Sequence, residues 1–321
     1  MEYTTTLREH TPIVVTIGNF DGIHKGHQFL MQELRTMAHR LNCVPAMITF
    51  SPHTLLVVRP DIDVQYLTTL EEKLQLTKAY GDIVDSIIIH FTPEVAAMPA
   101  EEFMDTLRAH FEIKGMVVGA NFSLGHNRKG DVTFLNAYGQ AHGIQVQSVS
   151  LQEAERARIS STRIRNLVNE GNVNEANEML GHPVIFSGIV QHGDERGRLI
   201  GFPTANLRPE PHRLLPANGV YAIRVHVPEG AGSDEQPGSR VYNGAANIGV
   251  RPTFGQQERL VEAHLLDTSI DLYGKLITVE FIARLRGEQR FSGIDALKAQ
   301  IATDAQQARE ILRPYSETQH H

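Results

Sequence analysis

Cysteine is almost missing from this chain: Cys43 is the one thiol in 321 residues. An internal disulfide framework is therefore excluded, and a reducing compartment fits. Long apolar runs are missing as well. No stretch approaches the roughly 20 residues that span a bilayer, and Met1 to His10 lack a basic region followed by an apolar core. These absences predict a cytoplasmic protein without a membrane partner. Positive charge is not in excess either. The 30 Lys and Arg stand against 37 Asp and Glu, for a net charge of −7, which speaks against a broad nucleic-acid surface. A nucleotide needs only a few local cations and stays possible. The length suggests two domains.

What is present is concentrated first in Gly18 to Gln28, GNFDGIHKGHQ. The apolar run Ile13 to Ile17 before it reads as a buried parallel strand. Phe29, Leu30, Met31 and Leu34 after it repeat at helical spacing to about Leu41. Strand, glycine-containing turn and helix in that order put a phosphate-sized hole over a helix N-terminus. There, free amides and the positive end of the dipole face an anion. Gly18, Gly22 and Gly26 permit conformations and close approach that a Cβ obstructs. His24 and His27 are three apart, so both imidazoles share a face and can point into that hole, each able to donate to a phosphate oxygen. Taken alone, the pattern also describes a turn with two surface histidines. A zinc site is a third reading, although nothing nearby supplies the further ligands it needs.

Strands then alternate with helices. Val44 to Phe50 is a second apolar run that ends at Ser51-Pro52-His53. It leaves His53 at the carboxyl end of a strand, where open α/β sheets bind ligands. A helix is predicted over 68–80, capped by Thr68 or Thr69 and stopped by Gly81. Strands follow at 83–89, 116–118 and 144–149, with helices at 99–111 and 134–142. The polar loop 119–131 carries Asn121, Arg128 and Lys129. This alternation implies a doubly wound parallel sheet with right-handed crossovers. ISSTRIR, Ile159 to Arg165, opens a further helix with three cap-type residues, Ser160, Ser161 and Thr162. Hydroxyls, free amides and arginines at a helix start make a second phosphate site. Arg163 and Arg165 are two apart and face differently. A short helix at 174–180 ends at Gly181, with Pro183 beyond.

From 183 the texture changes. Strand-like segments at 184–186, 220–227, 240–248, 260–266 and 275–285, separated by Gly, Pro and Asn turns, predict a small closed or nearly closed antiparallel barrel. Residues 230–239 read as a surface loop, and an amphipathic helix at 294–312 packs on the barrel. Arg284, Arg286 and Arg290 suit either a phosphate, the partner domain or solvent. In Gly197 to Leu207, GRLIGFPTANL, two glycines and Pro203 lead to Thr204 and Asn206. These two lie on one side of an extended segment, and their oxygens suit Mg²⁺ or a phosphate. Glu262, in Val261-Glu262-Ala263-His264, reads by itself as a strand residue facing solvent.

GNFDGIHKGH together with ISSTRIR resembles the signature of bacterial FAD synthetases, in the nucleotidyltransferase group. Gly219-Val220-Tyr221, Asn247-Ile248-Gly249, Arg251-Pro252-Thr253-Phe254 and Asp271-Leu272-Tyr273-Gly274 resemble riboflavin kinase, the second half of the same bifunctional family. The likeness thus spans nearly the whole chain. It implies an α/β Rossmann-like nucleotidyltransferase domain at 1–182, an antiparallel β-barrel riboflavin kinase domain with a C-terminal helix at 183–315, and a tail at 316–321. The implied partners are small molecules: riboflavin, FMN and ATP, with Mg²⁺ as cofactor. Riboflavin is phosphorylated to FMN, and FMN is adenylylated to FAD with release of pyrophosphate. His24 and His27 would contact ATP phosphates and stabilise the transition state, in a site shared with Gly18, Phe20, Asp21, Gly26 and His53. Asn121 would approach nucleotide or flavin, and Ser161, Thr162 and Arg165 would bind the β and γ phosphates. Glu262 would take the proton of the ribityl 5′-hydroxyl. Thr204 and Asn206 would hold Mg²⁺ and phosphate, under a flap at Gly197 and Gly201. The chain departs from the commonest pattern at Asn121-Phe122 and Leu124, where the family often has an Asp-Phe pair and a second Phe, and at His53-Thr54, where it often has His-Pro. Those departures suggest, as alternatives, a riboflavin kinase beside a weakened adenylyltransferase. A non-catalytic flavin-binding regulator is the alternative of another class; it needs no base or metal ligand, so Glu262, Thr204 and Asn206 speak against it.

Overall fold

The computed structural model describes residues 1–150, 159–191, 202–228, 239–253, 256–268 and 270–317. Gly197, Gly201, Phe254 and all of the expected 230–239 loop but Ser239 lie outside the described residues. The chain divides into two compact units, Met1–Ser161 and Thr162–His321, each described by itself.

The first unit runs β1 (Tyr3–Thr5), β2 (Pro12–Ile17), α1 (Lys25–Leu41), β3 (Val44–Ser51), α2 (Thr54–Val58), α3 (Leu70–Gly81), β4 (Asp85–His90), α4 (Pro93–Ala97), α5 (Ala100–His110), β5 (Glu112–Gly119), β6 (Ser123–Leu124), β7 (Gly130–Asp131), α6 (Val132–His142) and β8 (Gln145–Val149). Its main sheet has the order β1-β4-β3-β2-β5-β8. The five expected strands are its parallel members. β1 joins the edge antiparallel to β4, with Tyr3 opposite Ile89. The chain moves outward from β2 through β3 and β4, then returns to β5 on the other side of β2. Ligands bind beyond the carboxyl ends of strands at such a reversal, and Gly18 starts its turn there.

Every residue from Ile13 to Ile17 is buried, as a continuous apolar run covered on both faces requires. On one face Ile13, Val15 and Ile17 join Phe103, Met104, Leu107, Leu135 and Tyr138 in one core. On the other, Val14, Met37 and Leu41 crowd Gly115, where a Cβ would meet Met37 Sδ at 2.7 Å. α3 is capped by Thr69 rather than Thr68, in a reciprocal box with Glu72. Gly81 does not stop this helix, contrary to the sequence reading. The left-handed residue is Asp82, at φ 51°. Gly81 lies inside the last turn, where a Cβ would collide with Met31 Sδ. The glycine serves the close approach of α1 to α3.

The second unit contains α7 (Ser161–Glu170, its first residue belonging to the first unit), α8 (Val173–Leu180), β9 (Val184–Gln191), β10 (Ala205–Leu207), β11 (Gly219–Pro228), β12 (Ser239–Thr253), β13 (Gln256–Leu265), β14 (Leu276–Arg286) and α9 (Ile294–Glu317). Strands β10-β13-β12-β11-β14-β9 close into an antiparallel barrel. Register partners Leu207 and Val261, Ala263 and Ala246, Ile223 and Phe281 fill its interior. The outer face is covered in part by α9. Ala305, Ala308 and Leu312 pack on Ala222, Leu266 and Ile282. Arg286 grips Asp304 of this helix through bonds of 2.8 to 3.1 Å, and Arg284 donates to the carbonyls of Glu170 and Asn218. Arg284 and Arg286 therefore bind protein groups, although Arg284 remains exposed.

Candidate functional site

The turn after β2 is wound tightly. Phe20, Gly22 and Ile23 have φ of 49°, 83° and 41°. Phe20 and Ile23 keep this conformation although they carry side chains, because both are buried. Phe20 lays its ring edge-on to His27 at 5.1 Å and within 3.2 Å of where a Cβ on Gly18 would stand. His24 is the N-cap of α1: its Nδ1 accepts from the His27 amide at 3.3 Å, which leaves the proton of a neutral ring on Nε2. The His24 and His27 rings stack at 3.6 Å, tilted by 14°. The two imidazoles are brought together, and Gly26 lies beside them in the first turn of the helix. Burial, then the neighbouring His24 and Lys73, hold the His27 pKa well below its usual value. His27 Nδ1 is buried without a hydrogen-bond partner, as is Asn19 Oδ1. Among the described residues no group of three His, Cys, Asp or Glu is placed to hold a metal.

Asp21 braces the turn from behind. Its carboxylate accepts from the Leu67 amide at 2.9 Å and the Thr68 amide at 3.1 Å, and the Thr68 hydroxyl accepts from the Gly22 amide. It thereby ties the approach to α3 to the turn. His53 caps α2, accepting from the Leu55 amide. Its neighbour Thr54 accepts from the Asn19 side chain at 2.8 Å, so the departure at Thr54 replaces a proline with a bond to the turn. Asn121 is exposed two residues beyond β5. The segment after it doubles back as the β6–β7 pair, and Gly125 sits where a Cβ would strike the Ala100 backbone at 2.6 Å. Ser161 donates to the Asp21 carbonyl at 3.0 Å, joining the second motif to the first. Thr162 is exposed and Arg165 half-buried in the first turns of α7. Arg163 is committed to Glu175 at 2.7 Å. Cys43 is half-buried; its thiol donates to the Leu41 carbonyl, and burial raises its pKa, which makes it a poor nucleophile.

On the barrel, three strands present one polar row on the outer face. Asn206 of β10 lies opposite Glu262 of β13, and Glu262 opposite Asn247 of β12. Asn247 Nδ2 donates to Glu262 Oε2 at 3.2 Å. Asn206 Oδ1 is buried with no hydrogen-bond partner, and Thr204 stands half-buried two residues before it. A buried amide oxygen left unsatisfied is costly in a folded chain. In the sequence Asn247 figures within the motif Asn247-Ile248-Gly249 without a role of its own; its strand register places it beside Glu262. His264 also gains a place. Its Nδ1 donates to the Pro203 carbonyl at 2.8 Å and its ring meets Phe202 edge-on, so it pins the segment that carries Thr204.

The chain is similar to known proteins along most of its length. The FAD synthetase family profile matches residues 6–163, and the riboflavin kinase profile matches residues 180–312. The bifunctional riboflavin kinase/FMN adenylyltransferase of Escherichia coli K12 is 40% identical over 93% of this chain and 92% of its own length. The protein of the same name from Listeria monocytogenes is 34% identical over 97% of each chain. A solved structure described as a macrolide-efflux protein from Streptococcus pneumoniae superposes with a TM-score of 0.80 at 30% identity, covering 95% of this chain and 96% of that one. Among the described residues here, no helix is long and apolar enough to cross a membrane.

Proposed function

This chain belongs to the bifunctional riboflavin kinase/FMN adenylyltransferase family, and on that premise we propose which of its residues carry each reaction. The enzyme phosphorylates riboflavin to FMN and adenylylates FMN to FAD, with ATP as the donor. The observation that carries the assignment is the row Asn206–Glu262–Asn247, with a buried amide oxygen lacking a partner beside a carboxylate.

In the kinase step Glu262 accepts the proton of the ribityl 5′-hydroxyl as that oxygen attacks the γ-phosphorus and ADP departs. Asn247 holds one carboxylate oxygen and so fixes the rotation of the base. Thr204 and Asn206 would hold Mg²⁺. The fit rests on Asn206 Oδ1, since a hydroxyl, an amide oxygen and a nearby carboxylate make the hard oxygen set that such an ion takes. Bound there, Mg²⁺ supplies positive charge against the phosphates. Gly197 and Gly201 keep the flap role that the family motif suggests.

In the adenylyl step an FMN phosphate oxygen attacks the α-phosphorus, and the electron pair of the broken P–O bond leaves with pyrophosphate. The protein's share is positioning and charge stabilisation. The amides that open α1, the Nε2–H of His24 and the His27 ring face the phosphates. Gly18, Phe20 and Gly26 shape the hole, and Asp21 keeps it in shape from behind. His53 and Asn121 flank it, and Ser161, Thr162 and Arg165 contribute through the second motif. We place both reactions in the reducing, ATP-containing cytoplasm. The test is a pair of variants assayed for both products: His27→Ala loses FAD formation and keeps FMN formation, and Glu262→Ala does the reverse when FMN is supplied. Parallel loss of both products in either variant contradicts the assignment.

A further inference from the structure

A buried cation beneath the first site has no part in the chemistry above. Lys73 of α3 is 5% exposed. Enclosing an ammonium is costly unless a counter-charge accompanies it. Asp21 acts on it electrostatically, but that carboxylate already accepts from Leu67 and Thr68. The hydrogen bond from Lys73 goes to a neutral group, Thr49 Oγ1, at 3.1 Å. Thr49 in turn donates to the Asn19 carbonyl at 3.3 Å. A line of contacts therefore runs from α3 through β3 to the phosphate turn. In that turn Asn19 Oδ1 and His27 Nδ1 are both buried and without hydrogen-bond partners.

We infer that Lys73 is a positioning residue of the adenylyl-transfer site, setting the Asn19 peptide through Thr49 and acting by its charge on the His27 imidazole. The inference rests on the reading that His27 meets ATP phosphates. Its physical content is a charge balance. Burial lowers the Lys73 pKa to about 8, so the group is still mostly protonated at neutral pH. With His24 it opposes protonation of His27. The groups acting on this pair are Asp21, which favours charge on Lys73, and His24, which opposes it on His27. A polyanionic nucleotide reverses the balance: its phosphates favour positive charge on Lys73 and His27 together. Without nucleotide the site thus sets a charged Lys73 beside a neutral His27, and bound phosphates would favour a proton on that ring.

The test compares the full-length enzyme with Lys73→Met and Thr49→Val. Lys73→Met keeps the length of the side chain; NMR signals of the first unit's core residues at their wild-type positions serve as the control for its fold, and FMN formation from riboflavin stays unchanged. FAD formation from FMN and ATP is expected to fall at least about tenfold in Lys73→Met, through misplacement and lost charge. The His27 imidazole, followed by NMR in the nucleotide-free protein, should titrate at higher pH than in the wild type. Thr49→Val should lower FAD formation while leaving the His27 titration in place. FAD formation within twofold of wild type in Lys73→Met overturns the inference, and so does a loss of FAD formation with the His27 titration unmoved. If His27→Ala makes FAD normally, the reading of His27 fails instead, and the titration still decides whether Lys73 acts on it.

Discussion

Glu262 and His27 carry the sharpest consequences at the scale of single residues. Glu262→Ala should lower the kinase kcat by about 10²–10⁴, the usual worth of a general base; a loss below about tenfold in initial-rate assays rejects that role. Asn247→Ala should lower kcat for FMN formation with little change in the KM for ATP, because Asn247 bonds Glu262, the proposed base, and has no part in the proposed nucleotide site. In a Glu262→Ala background the same change should do almost nothing further, since the two residues act as one unit. Additive losses would separate them. His27 adds a dependence on pH. Its folded-state pKa lies below the unfolded value of about 6.5. The neutral ring therefore contributes stability that is fully present above that value and is lost as pH falls through it. The thermal midpoint should drop between pH 7.5 and 5.5, and His27→Gln should flatten that drop. Equal slopes in the two proteins would show that His27 is not the group responsible.

Elements explain why these residues sit where they do, and why some were legible in the sequence. The run from Ile13 to Ile17, the turn and α1 follow from burial pattern and glycine spacing, and the structure places them as expected. The pairing of His24 with His27 follows from helical spacing alone. Other features depend on partners remote in sequence. β1 is three residues long, too short to show alternation, and exists because the edge of β4 offers it hydrogen bonds. Gly81 looks like a helix stop but answers to Met31 across the interface. Asn247, part of a motif in the sequence, takes a particular role from its register with Glu262, and Lys73 takes one only from its burial beneath a turn some fifty residues earlier in the chain. The roles given to Thr162, Arg165, Gly197 and Gly201 still stand on motif alone. Bracing of the turn by the start of α3 gives a prediction at this scale. Asp21→Ala leaves the Leu67 and Thr68 amides buried without their acceptor, which costs about 1–3 kcal/mol each at most. Urea denaturation should show the loss, and FAD formation should fall with it; an unchanged midpoint would mean that the turn holds itself.

The whole molecule joins two chemistries on two unlike supports. In the proposed assignment a largely parallel sheet presents a helix N-terminus to the phosphates of one nucleotide, and a closed barrel aligns the proposed base with its neighbours across three strands. Each support keeps its own core, with Ile13, Val15 and Phe103 in the first unit and Ile223, Phe281 and Val261 in the second. Damage to one active site should therefore leave the other reaction running. The most direct measurement of that central claim is chromatography of flavins after the purified enzyme is incubated with riboflavin, ATP and Mg²⁺. The account predicts FMN first and FAD after it. Riboflavin left unchanged would contradict it, and FMN that never proceeds to FAD would contradict the half of it built on the turn at His24 and His27.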